Sequence, residues 1–205
     1  MRGIIGKKVG MTQIFDDSGK VIPVTVVDAG PVVVTQVKTK ANDGYEAVQV
    51  GFGQRKEKHT TKPLQGHFAK AGVTPRYTLA EFDGIRGFDY KTGQQFGANL
   101  FHEGEWVDVS GLSKGRGFAG VIKRHGFQRQ NVTHGQSEYL RHPGSIGQSS
   151  DPSRVWKGMR MAGHKGDEKV TVKNLKVVKV NEDTNQLFLR GAVPGAKNGI
   201  IIITK

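Results

Sequence analysis

Two blocks rich in β-branched residues flank a segment that cannot build a core of its own, and that segment limits every fold open to the chain. Residues 111 to 166 hold eleven glycines, ten lysines and arginines, and two acids, Glu138 and Asp151. Glycine maximises the entropy lost on ordering, and a string of like charges resists collapse. With few β-branched residues, the segment has little apolar surface to offset that cost. It is expected to become ordered against a partner and, from about 125 to 165, to be mobile without one. It carries a net +8 of the chain's +13, so most of the excess charge sits in about a quarter of the 205 residues.

The flanking blocks read as short strands. Val21 to Asp28 alternates around Pro23, Val32 to Lys38 is β-branched, and Tyr45 to Val50 alternates again. Turns are expected at Asp16-Asp17-Ser18-Gly19 and Asn42-Asp43-Gly44. A second block opens at Lys169, runs through Val170, Val172, Leu175, Val177, Val178 and Val180, turns at Glu182 to Asn185, and continues through Leu187-Phe188-Leu189. It closes with four isoleucines, Ile200 to Ile203, before Thr204, a run that needs pairing to avoid aggregation. Short strands at both chain ends predict a mainly β fold with minor α, a small closed β-barrel whose first and last strands meet. Helix is expected only near Gly66 to Ala71 and Phe118 to Arg124. The domain reading is a barrel over 1–110 and 167–205, with a small α+β excursion near 55–95, and a basic extension over 111–166.

An excess of +13 points to a polyanionic partner. A membrane surface is disfavoured, because no lipidation signal and no apolar helix face accompanies the charge, and no stretch of 18 apolar residues occurs. With no cysteine and no signal-like start, the chain is expected in the cytoplasm. Nucleic acid fits better. Phe118, Phe127, Tyr139 and Trp156 interleave with the cations and can stack on bases, while glycines let backbone amides approach phosphate. No helix-turn-helix, zinc finger or basic zipper is legible, which favours folded RNA over a DNA groove.

Catalytic readings find less support. His125, His134, His142 and His164 lie 9, 8 and 22 residues apart, without the tight pairs of a zinc site, so no metal or other cofactor is expected. Gly115-Arg116-Gly117-Phe118-Ala119-Gly120 matches a dinucleotide fingerprint literally and, with Val121, a kinase glycine-rich loop. The fingerprint requires a parallel βαβ unit that the pattern does not offer. A kinase would also need His-Arg-Asp and Asp-Phe-Gly triplets, and neither occurs. A tight basic turn facing phosphate is the better reading. Asp108 and Glu138 have no partner at catalytic spacing, so no enzyme and no small-molecule substrate is expected.

The ordered motifs Gly6-Lys7-Lys8-Val9-Gly10-Met11-Thr12, Ile22-Pro23-Val24-Thr25-Val26, Asn42-Asp43-Gly44-Tyr45, Lys62-Pro63 and Gly66-His67-Phe68-Ala69-Lys70-Ala71-Gly72 lead to a more diagnostic stretch. It runs from Phe101 through Asp108, Gly111, Ser113, Gly115-Arg116-Gly117 and Gly120 to Arg124, then Thr133-His134-Gly135 and Pro143-Gly144-Ser145-Ile146-Gly147-Gln148. Lys157-Gly158, Met161-Ala162-Gly163, Val170-Thr171-Val172 and Gly191-Ala192-Val193-Pro194-Gly195-Ala196 follow. Together they closely resemble the bacterial family of the third large-subunit ribosomal protein over nearly the whole chain.

That resemblance implies a Greek-key-like barrel of the translation-protein type on the subunit surface, with a long irregular extension threading into ribosomal RNA toward the peptidyl-transferase centre. It implies direct binding of large-subunit RNA near its 3′ end, a part in early assembly, and contacts with neighbouring large-subunit proteins. RNA contacts are expected from Lys7, Lys8, Lys114, Arg116, Lys123, Arg124, His125, Arg129, His134, Arg141, His142, Arg154, Trp156, Lys157, Arg160, His164 and Lys165. Some bacterial members carry a methylated glutamine where an ungapped match places Ser150, so that modification is expected to be absent. A regulatory role on messenger RNA would use the same chemistry and stays open.

Overall fold

Pairing of the first strand with the last closes the molecule's main sheet, as the isoleucine run requires. The computed structural model describes residues 3–16, 18–83 and 89–205. Asp17 of the first expected turn and residues 84–88 of the 55–95 excursion lie outside the described residues. In chain order the elements are β1 (Gly3–Phe15), β2 (Val21–Asp28), β3 (Val32–Lys38), α1 (Lys40–Asp43), β4 (Ala47–Gln54), α2 (Lys62–Lys70), β5 (Arg76–Phe82), β6 (Gln95–Phe96) and β7 (Trp106–Leu112). Then come β8 (Phe118–Ala119), α3 (Val121–His125), β9 (Gly163–His164), β10 (Lys169–Asn181), β11 (Gln186–Arg190) and β12 (Ile200–Thr204). The chain divides into two compact units, one of residues 1–113 with 169–205 and one of residues 114–168.

In the first unit six antiparallel strands form a closed barrel in the order β1-β12-β7-β10-β11-β2. β12 is hydrogen-bonded on both sides, Ile203 facing Ile4 of β1 and Val109 of β7. Closure therefore leaves the four-isoleucine run no exposed edge. Alternation does the rest: Ile201 and Ile203 are buried with Val107, Val109, Val177, Leu187 and Leu189, while Ile200 and Ile202 point to a half-covered face. Each fully buried side chain of this kind contributes about 1.5–3 kcal/mol. The one buried hydroxyl of β2, Thr25, is satisfied by donating to the Gly191 carbonyl at 2.6 Å.

A second sheet, ordered β5-β4-β3-β6, shares this core through Val32, Val34, Val48 and Val50. Phe82 of β5 lies where a Cβ on Gly3 would sit, 2.6 Å away, so only glycine admits the ring. α2 begins at Lys62, earlier than the expected Gly66, because Pro63 occupies its first turn, where a missing N–H costs nothing. It packs through the buried Phe68, and His67 Nε2 lies 2.8 Å from Gln49 Oε1. Gln49 in turn meets Glu81, which also accepts from Tyr45 at 2.8 Å and pairs with Lys38 at 2.8 Å. Hydrogen bonds from Lys38 and Tyr45 hold the Glu81 carboxyl below the usual carboxylate range. The Asn42-Asp43-Gly44 turn is realised as the single-turn helix α1, capped by Gly44 in the left-handed region.

The second unit is mostly irregular. It contains the two-residue strands β8 and β9, paired antiparallel, the short helix α3 and a 3₁₀ turn at Ser137–Arg141. Phe118 and Ala119, expected to begin a helix, form β8 instead, and the helix starts after Gly120. Ala119 and Val121 are the only buried apolar side chains of this unit among the described residues.

Candidate nucleic-acid interface

The base of the second unit is fixed by backbone and cation together. Arg116 N–H donates to the Lys165 carbonyl at 2.8 Å and Lys165 N–H to the Gly117 carbonyl at 3.0 Å, extending the β8–β9 pairing. Glycine is required at 166: its φ is +75°, and a Cβ there would lie 2.1 Å from the Lys114 carbonyl oxygen. α3 ends in Lys123, Arg124 and His125, cations and a histidine that suit the negative end of a helix. Arg124 Nη1 donates to the Met161 carbonyl at 2.8 Å, and His125 Nε2, at 3.0 Å from the same carbonyl, must be the donor because a carbonyl only accepts. The Lys165 ammonium reaches the Lys123 carbonyl. A Cβ on Gly163 would sit 2.6 Å from Arg124 Nη1, so the absence of a side chain there makes room for the guanidinium.

Beyond that clamp the chain from 126 to 162 is largely exposed. Left-handed residues shape it, with His134 at φ 62°, Gly135 at 75° and Ser153 at 57°. Arg154 lies over the Trp156 ring at 4.4 Å, with Trp156 itself 55% exposed, so a flat cationic and aromatic pair faces outward. The Tyr139 and His142 rings meet edge-on at 5.0 Å. Arg129, Arg141, Lys157 and Arg160 are exposed, as are Lys114, Arg116 and His164 nearer the base. The ion pairs Lys38–Glu81 and Lys205–Glu105 both lie in the barrel unit, so neither draws on these cations. Exposed, forked cations interleaved with rings can neutralise phosphate and stack on bases.

The seventeen residues expected to contact RNA thus fall into three groups by geometry. Arg124, His125 and Lys165 already clamp the segment to itself, and the Arg116 amide is committed to Lys165. Lys7 and Lys8 lie on β1 in the other unit. Lys7 sits across the sheet from Asp28, whose carboxyl is pushed up by burial with Lys7 pulling the other way. The Lys8 ammonium donates to the Val193 carbonyl at 3.0 Å and Gly195 at 3.4 Å, a bracing role that sequence pattern did not reveal. The rest present outward-facing side chains.

The Gly115–Gly120 turn carries a two-residue strand that pairs antiparallel with distant residues 163–164 and leads into a five-residue helix, which is not the βαβ context of a dinucleotide site. Among the described residues no three His, Asp or Glu side chains gather in a metal-holding group. No described helix is long and apolar enough to cross a membrane.

Comparison with known proteins agrees with the motif pattern. The family model for ribosomal protein L3 matches residues 89–191, which include the whole second unit and the barrel strands β7, β10 and β11. The chain is 51% identical over 205 residues to the large ribosomal subunit protein uL3 of Herpetosiphon aurantiacus, covering 100% of this chain and 96% of that one. It is 50% identical over 203 residues to the protein of the same name from Corynebacterium jeikeium, covering 99% and 93%. Against that of Alkaliphilus metalliredigens it is 53% identical over 205 residues, covering 99% and 96%. With a family model over half its length and relatives matching along practically all of it, the chain belongs to the ribosomal protein L3 family.

Proposed function

We propose that this protein, a structural and non-enzymatic member of the large ribosomal subunit, binds large-subunit ribosomal RNA directly near the RNA's 3′ end through residues 114–168. In this reading the segment aids early subunit assembly and reaches toward the peptidyl-transferase centre, while part of the barrel surface meets neighbouring large-subunit proteins. The observation that carries it is a unit with ten lysines and arginines and a core of two small side chains. Such a unit has little reason to exist without a polyanion around it.

The mechanism is charge neutralisation with shape. Arg129, Arg141, Arg154 and Arg160 offer planar forks that match phosphate in two hydrogen bonds, while Lys157 acts as a point charge. RNA helices that repel one another are held together as counterions are released. Tyr139 and the Arg154–Trp156 pair fill gaps by stacking on splayed bases. The clamp of Arg124 and Lys165 fixes where the segment leaves its base, so cations beyond it are presented in a set order.

Binding of the full chain to separate 5′ and 3′ portions of large-subunit RNA, at one fixed salt concentration, tests the assignment. Tighter binding to the 3′ portion by tenfold or more is expected, on the general scale of specific over non-specific binding of about 10³ or greater for complete sites. Equal affinity for both portions would refute the 3′ assignment.

A further inference from the structure

The charge map has a second concentration, outside the segment discussed so far. Beyond residues 111–166 the chain nets +5, and residues 54–77 alone account for all of it: Arg55, Lys56, Lys58, Lys62, Lys70 and Arg76 against Glu57. Everything else in the chain is balanced, acid for base. A basic run is usually a solvated surface, but four features of this one point to a ligand.

The run is held rigid. Gln65 on α2 donates through Nε2 to the Glu57 carbonyl at 3.0 Å and the Thr60 carbonyl at 3.1 Å, tying the helix to the turn before it. Arg55 N–H donates to the Pro75 carbonyl at 2.9 Å, joining the two ends of the run, and Phe68 is buried beneath. Second, among the described residues none of the six cations is ion-paired, because the ion pairs there are Lys38–Glu81 and Lys205–Glu105. Third, the Arg55 guanidinium stacks over Tyr77 at 5.6 Å while Tyr77 remains 70% exposed, an aromatic face backed by a cation. Fourth, the Arg76 stem lies across Gly51, where a Cβ would be 2.6 Å from it, and its Nε is buried without a hydrogen-bond acceptor. The stem is thereby fixed in place, which holds the half-buried Arg76 side chain beside five exposed or half-exposed cations.

We propose that this face of the globular unit is a second RNA-docking site, in which Lys56, Lys58, Lys62 and Lys70 take backbone phosphates and a base stacks on Tyr77 beside Arg55. The proposal rests on the RNA-binding reading above but not on the 114–168 segment. RNA is favoured over an acidic protein segment by the exposed ring: an acidic peptide satisfies cations equally well, whereas an aromatic face paired with arginine suits a base.

The test compares three full-length variants for binding to large-subunit RNA across a salt series. They are a patch variant (Lys56→Gln, Lys58→Gln, Lys62→Gln, Lys70→Gln), Tyr77→Leu, and a variant of the other unit (Arg129→Gln, Arg141→Gln, Arg154→Gln, Arg160→Gln). All these lysines are exposed, and circular dichroism checks that each variant is folded. The patch variant is expected to lower the log–log salt slope by about 3, at roughly 0.7–0.9 per phosphate contact. Tyr77→Leu is expected to weaken binding severalfold at unchanged slope. If the patch variant and Tyr77→Leu bind like the native protein while the other unit's variant loses slope, the second site is refuted and the RNA reading stands. If no variant changes binding, both fail. If the native protein binds poly-glutamate as tightly as RNA and the patch variant loses only the former, the face belongs to an acidic protein partner and the proposal is overturned.

Discussion

Replacing Gly166 with alanine should open the base of the second unit, whereas the same change at Gly135 should not. Both residues have φ near +75°, so each alanine pays the left-handed strain of about 1–2 kcal/mol. They differ in surroundings: a Cβ on Gly135 meets nothing within 4 Å, but on Gly166 it falls 2.1 Å from the Lys114 carbonyl oxygen. Relief requires the 114–117 and 163–166 strands to part, which breaks the Arg116-to-Lys165 and Lys165-to-Gly117 bonds at 2.8 and 3.0 Å. At about 0.5–1.5 kcal/mol each, that adds about 1–3 kcal/mol to the strain. Amide hydrogen exchange reads the difference directly, because Arg116 and Lys165 are themselves the donors. In Gly166→Ala those two amides should exchange about 5- to 150-fold faster than in Gly135→Ala, at tenfold per 1.4 kcal/mol. Equal protection of both amides in the two variants would refute the clamp.

Further outcomes follow from the barrel and from the terminal braces. Ile203→Ala should cost about 2–5 kcal/mol in urea unfolding followed by circular dichroism, and Ile202→Ala less than half as much, since Ile203 is fully buried in the core and Ile202 only partly covered at its margin. Equal losses would mean that the run does not alternate in and out. Lys8→Met should destabilise the fold by about 1–2 kcal/mol through the lost bonds to Val193 and Gly195, yet leave the RNA salt slope unchanged. A reduced slope would instead make Lys8 a phosphate contact. Intact-mass measurement of the native protein should show no methyl increment on the peptide spanning Gln148 and Ser150, because serine offers no amide to methylate.

Pattern in the sequence revealed strands wherever β-branched residues alternate, as in β2, β3, β10, β11 and β12. It missed β1 and β7 for an identifiable reason. β1 is interrupted by Gly3, Gly6 and Gly10 and shows no period of two, yet those glycines are where Phe82 and Val27 press against the strand or where the register shifts between Lys8 and Gly10. β7 alternates as Trp106-Val107-Asp108-Val109, but it adjoins the glycine-rich run and reads as the approach to it. The expected RNA residues could be sorted by charge but not by duty: nothing in spacing distinguishes Arg124, committed to the Met161 carbonyl, from Arg154, which faces outward over Trp156. The lysines and arginines of residues 54–77 are no sparser than those of 111–166, but the run is short, has few glycines and lies between strand-like blocks, so only the fold, which gathers it around the braced α2, sets it apart from an ordinary solvated surface.

The most direct test of the central claim is the salt dependence of RNA binding by the native chain beside a variant with Arg129, Arg141, Arg154, Lys157 and Arg160 all changed to glutamine. Five lost phosphate contacts at about 0.7–0.9 each predict a slope lower by about 3.5–4.5 in log–log units, with the fold unchanged by circular dichroism. A slope equal to that of the native protein would contradict the account, because the outward-facing cations of residues 126–162 would then have no part in holding RNA.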